Sequence, residues 1–207
     1  MPTFPRTLLP KYATIPEVPG PLISLGHTGG VQLRAGTAIG RTWTEEWGPL
    51  VLGSVNVGAL LAFIETSYRN GTTFSIVHYA LPGSGVSPNG AGGGTPLVQG
   101  ASQTGASLVT DAWSNSITGV VAAGDVIRVT GLNQLFTNTA TVNSTSSGVA
   151  TLTIDPPIAA GGSPADDAAL TRAGATINAY ISEKPSFPRG EPGSILAGLK
   201  LTFREAP

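Results

Sequence analysis

The sequence predicts a mainly β protein with one α-helix, in which a small β domain is inserted into a discontinuous outer domain. Three observations predict this. Much of the chain alternates apolar with small polar residues, as in "AGDVIRVTG" and "GVATLTIDPPI". A single segment carries the apolar period of a helix. Two low-complexity stretches, residues 82–96 and 159–169, bracket the most regular of the β patterns.

Composition narrows the function classes. The 207 residues suffice for one large or two small domains with a buried core. Cysteine is absent, which excludes disulfides, thiolate zinc sites and cysteine nucleophiles together. Charged residues make up 11% of the chain, against about a quarter in an average globular domain, and the net charge is -1. Neither nucleic acid nor an anionic membrane is favoured as a partner by such a balance. A surface so poor in charge points instead to burial in an assembly. The N-terminal "MPTFPRTLLPKYATIPEVPGP" lacks the basic-then-apolar order of a signal peptide, and no apolar run approaches a membrane span. The expectation is a soluble protein made and kept without secretion.

Taken in order, residues 1–30 hold six prolines and read as an extended arm. Its Phe4, Leu8, Leu9, Tyr12, Ile15 and Leu22 are too apolar for a free tail, so the arm must lie on its own domain or on a neighbouring subunit. Val31 and Leu33 then alternate as in a strand. Further on, Ile39, Arg41, Trp43, Glu45 and Trp47 share a face, and the charges between the tryptophans suggest partial burial.

The helix is expected over 57–69, where Val57, Leu60, Leu61, Ile64 and Tyr68 form one apolar stripe. Asn56 is placed to cap its start, and Asn70-Gly71 supplies a left-handed stop. "TTFSIVHYAL" follows as a strand, with Phe74, Ile76 and His78 on one face and Val77 and Tyr79 on the other. Residues 82–96 read as a linker, because they offer no side chains able to hold a core. A β unit follows, in which Val142, Leu152 and Ile154 pack across "DVIRV" and "STSSG" makes a turn. Pro156-Pro157 should end its last strand, since neither can donate to a ladder. "TINAYISEK" and "SILAGLKLTF" supply the final strands. The predicted domains are therefore 1–82 with 170–207, carrying the arm and helix, and an inserted 83–169.

Catalytic chemistry finds little support. "NGAGGGTP" lacks the Gly-Lys-Ser/Thr ending and strand-to-helix setting of a phosphate loop, so linker is the plainer reading. His27 and His78 have no carboxylate or second histidine at ligand spacing. Asp125 reads as a turn residue, and Asp166-Asp167 as a solvated loop. Glu45 and Glu46 alternate faces, so one at most could enter a cleft beside Trp43 and Trp47; that face suits packing or subunit contact better than a sugar. No catalytic, metal or cofactor residue is assigned, and an enzyme is not expected.

"TWTEEW" before the helix, "YRNGTTF" at its end, "PLVQGASQTG", "AGDVIRV" and "GVATLTIDPPI" in the insert and "LTFREA" at the C-terminus form an ordered series covering most of the chain. In order and spacing it resembles the tail-tip proteins of long-tailed bacteriophages, above all the distal tail protein. The resemblance implies a tail-tube-like β-sandwich forming a ring, commonly sixfold, at the end of the tail tube, with inserted domains facing outward. It implies as partners further copies of the chain, the tail tube protein and the tail-tip hub protein, and a place in the virion after synthesis in the host cytoplasm. Ala159 stands where relatives often carry a basic residue, so no binding residue is carried over.

Two sets of site residues follow. A subunit interface is expected to use Phe4, Leu8, Leu9, Tyr12, Trp43, Glu45 and Trp47. The alternative function, a carbohydrate or host-surface binding module, would use Trp113 and Phe136 for stacking. A capsid or head-to-tail joining protein shares the assembly logic.

Overall fold

The computed structural model describes residues 1–14, 22–25, 31–34, 41–51, 53–185, 195–196 and 198–206; Ile15, His27 and Ile39, singled out above, lie outside these. The fold is mainly β, with two larger antiparallel sheets and, among the described residues, one helix. Two compact units divide the chain: Met1–Phe74 with Asn178–Pro207, and Ser75–Ile177.

From its start the chain forms β1 (Tyr12–Ala13), β2 (Leu22–Leu25), β3 (Val31–Arg34), β4 (Thr42–Trp47), β5 (Leu50–Val51), helix α1 (Val55–Asn70) and β6 (Phe74–Val77), within which it first crosses between units. The second unit adds β7 (Gly94–Val98), β8 (Gly105–Trp113), β9 (Val126–Val129), β10 (Leu135–Asn138), β11 (Ala150–Ile158) and β12 (Leu170–Thr171). The return crossing lies in β13 (Thr176–Ile181), followed by β14 (Ile195–Leu196) and β15 (Leu199–Glu205).

The first unit's sheet has the order β1-β4-β15-β13-β6, so its strands come from both ends of the chain. β15 lies antiparallel to β4 from Leu199↔Trp47 to Arg204↔Thr42. Alternation puts Trp43, Glu45 and Trp47 on the buried face of β4 and Glu46 outside. The core is aromatic: Phe4 lies 5.4 Å from Phe203, 5.5 Å from Phe63 and 5.6 Å from Phe74, centroid to centroid, and Trp43 stacks on Phe203 at 5.4 Å. Helix α1 buries Val57, Leu60, Ile64 and Ser67.

The helix starts and faces differently from expectation. Ser54, not Asn56, is the N-cap; it makes no side-chain capping bond, and Asn56 sits inside the first turn. Tyr68 is 39% exposed, because Ser67 fills the buried position of the last turn. The stop is as read: Gly71 adopts φ 58°, and its N–H reaches the last carbonyls.

In the second unit the sheet order is β12-β9-β10-β11-β8-β7. Its end strands meet through an antiparallel bridge, Leu97↔Ala169, reinforced by Val98 N–H to Ala168 O (2.9 Å) and Asp167 N–H to Val98 O (3.0 Å). The sheet thus curls into a six-stranded barrel whose end strands meet at this one bridge. Its interior is aliphatic, with Leu108, Ile127, Val129, Leu152 and Ile154 around Phe136 and Trp113.

Residues 82–96 are not a linker. Val126 N–H bonds to Pro82 O, Ala91 N–H to Gly119 O and Gly92 N–H to Val120 O. The segment is a strap laid on the barrel, and glycine is what lets it approach: a Cβ on Gly90 would lie 2.7 Å from the Val121 Cα. The same packing explains why the second unit extends beyond 83–169. Ser84 donates to Ala175 O and accepts from the His78 N–H, tying both flanks into it. Nor do Pro156 and Pro157 end β11; the ladder with β8 breaks after Thr153 and resumes at Ile158↔Gly105, so the prolines occupy the break.

Candidate functional site

Unit by unit, the residues singled out from sequence fall into two groups. The arm lies on its own domain. Phe4 is 1% exposed inside the aromatic core. Arg6 grips Glu45 with both terminal nitrogens, Nη2 to Oε1 at 2.7 Å, and the Trp43 indole donates to the same Oε1 at 3.3 Å. The Trp47 indole donates to Leu8 O at 3.1 Å. Lys11 N–H to Glu46 O (2.7 Å) and Thr14 N–H to Thr44 O (2.9 Å) then seat β1 along β4.

The proposed interface is corrected accordingly. Phe4, Trp43, Glu45 and Trp47 are internal to the folded unit, so none offers a surface to a second subunit. The sequence pattern suggested a half-wet tryptophan face because Glu45 lay between the two rings. The structure hides that carboxylate by supplying Arg6 from 39 residues away. Leu8 is half-buried. Leu9 (61% exposed) and Tyr12 (60%) remain outside. Val51 and Val55, which the sequence reading passed over, are exposed too, one on β5 and the other at the start of α1.

The alternative stacking residues are corrected as well. Trp113 is 3% exposed, its indole N–H bonded to Thr110 Oγ1 at 2.8 Å, and Phe136 is fully buried. Both rings fill the barrel and have no free face for a sugar.

Asp125 does more than make a turn. Its buried carboxylate accepts from the backbone N–H groups of Asn89 (2.7 Å), Gly90 (2.8 Å) and Ala122 (3.1 Å), and so pins the strap to the barrel. His78 is buried, and its Nδ1 accepts from the Ala80 N–H at 3.2 Å. Asp166 and Asp167 are exposed, with Asp166 Oδ1 accepting from Gly100 N–H. Arg128 donates through Nη1 to Thr176 O at 2.9 Å, and burial pushes its guanidinium below the usual arginine range. Among the described residues no group of three or more His, Cys, Asp or Glu gathers as a metal site, and no described helix is long and apolar enough to cross a membrane.

An open groove of about 430 Å³ is lined by residues 93–97 and 169–173, along the line where β7 and β12 approach. Arg172 borders it. Its Nη2 donates to Gly90 O at 2.7 Å, its Nε is buried without a hydrogen-bond partner, and its Nη1 occupies the space that a side chain at Gly92 would take. No carboxylate among the described residues pairs with it. No protein-family model matches the chain, and no curated protein matches it.

Proposed function

We propose that the chain is a non-catalytic structural protein of a phage virion, a ring component of the tail tip that joins tail tube to tip or baseplate. One observation carries the reading furthest. A helix-bearing β unit is assembled from both ends of the chain, and a second β unit is spliced into it between β6 and β13. That construction, together with the ordered motif series from "TWTEEW" to "LTFREA", is what the resemblance to distal tail proteins leads one to expect.

In this reading the partners are further copies of the chain in a ring, the tail tube protein on one side and the hub protein on the other.

The ring contact then uses the apolar surface that the fold leaves outside. Leu9 precedes the short edge strand β1 and Tyr12 opens it, and Val51 and Val55 are the other candidates. The contact is heterologous and closes by rotation. Electron microscopy of the purified protein, alone and with tail tube protein, tests this. Rings are expected, and Leu9→Ser with Tyr12→Glu should abolish them while the β-rich circular dichroism persists. A wild-type protein that stays monomeric at every concentration and never caps a tube overturns the proposal.

A further inference from the structure

We propose that the groove between β7 and β12 binds an extended, acidic peptide segment of another protein by strand addition. The inference does not rest on the assembly reading, because every residue it uses lies within the second unit.

The groove is a ladder that was started and not continued. Extending the antiparallel register from the Leu97↔Ala169 bridge sets Pro96 against Leu170, Thr95 against Thr171, Gly94 against Arg172 and Gly93 against Ala173. Those are the residues that line the two walls, yet Leu97↔Ala169 stands as an isolated bridge. β7 is paired on its other side with β8, and β12 on its other side with β9. The walls are therefore strand edges diverging from a closed end; Pro96 has no N–H to offer on the β7 wall, so the β12 edge is the one that another extended backbone complements. Small side chains at Gly93, Gly94, Ala169 and Ala173 leave room for a close backbone approach.

Charge selects the segment. Arg172 is the one charged residue in the lining, and no acid among the described residues neutralises it. At the closed end lie the exposed Asp166 and Asp167. An acidic side chain is thus favoured at the open end, beside Arg172, and disfavoured at the other.

Selection of random decapeptides against the full chain, followed by amide chemical-shift mapping with the best binder, tests the proposal. The expected peptides carry an acidic residue next to β-branched ones, and their shifts centre on residues 93–97 and 169–173. Replacing the acid by its amide should weaken binding about tenfold, as should Arg172→Gln, whereas Arg172→Lys retains most of it. Methylating alternate peptide nitrogens should abolish binding, since strand addition needs those donors. Shifts centred elsewhere, no enrichment of binders, or indifference to backbone methylation would each overturn strand addition. If acetate alone reproduces the shifts, the site takes a small anion and the peptide proposal is wrong.

Discussion

In the first unit the core is filled by large aromatic rings brought from far apart in the chain, with Phe4 of the arm packed against Phe203 near the C-terminus. In the second, the interior is mostly aliphatic, and the closing work is done by backbone: a strap of glycines bonded to Gly119 and Val120 carbonyls and held by one carboxylate, Asp125. The first unit therefore depends on side chains that few segments supply, so one deletion removes a large part of its core. The second spreads its closure over many small contacts, where adding atoms is as harmful as removing them.

Ways to break that contrast differ in size. Phe4→Ala should cost the first unit about 4 kcal/mol, from lost ring burial plus the cavity left behind. Hydrogen exchange followed by mass spectrometry should show β4, α1 and β15 opening while β8 to β11 keep their protection. Equal loss in both units would remove the distinction. Arg6→Ala should cost about 3 kcal/mol, because it leaves the Glu45 carboxylate buried without its cation. The double variant Arg6→Ala with Glu45→Gln should recover part of that loss in a denaturant titration; no recovery would mean that the guanidinium acts through packing alone.

The second unit is probed by smaller changes. Asp125→Asn keeps the shape but sets an amide group against backbone donors, at a cost of about 2 kcal/mol. Exchange should accelerate first at Asn89 and Gly90. Gly90→Ala should cost about 1 kcal/mol or more, since its Cβ meets backbone at Val121 and Ala122. A neutral outcome there would show that the strap can lift without consequence.

What the sequence made legible follows from how local each signal was. Helix α1 was readable because Val57, Leu60 and Ile64 repeat within a few residues of one another, and its stop because Asn70-Gly71 is a local device. The strap was misread because glycine-rich composition describes both a flexible linker and a backbone packed too closely for side chains. Only the positions of Val121, Ala122 and Asp125 separate the two. Glu45 between two tryptophans looked half-exposed for the same reason, since its partner Arg6 lies in a different segment. The groove had no sequence signal at all: it arises from the register of Leu97 against Ala169, a pairing across the whole barrel.

The central claim is that the second unit is complete in itself, a barrel closed by its own end strands and its own strap. Residues 75–177 expressed alone test it most directly, by comparing their amide NMR spectrum with that of the full chain. The account predicts a dispersed spectrum that overlays the full-chain signals of β7 to β12, apart from residues next to the two cut ends. A collapsed spectrum, or one whose strand signals have moved throughout, would contradict it.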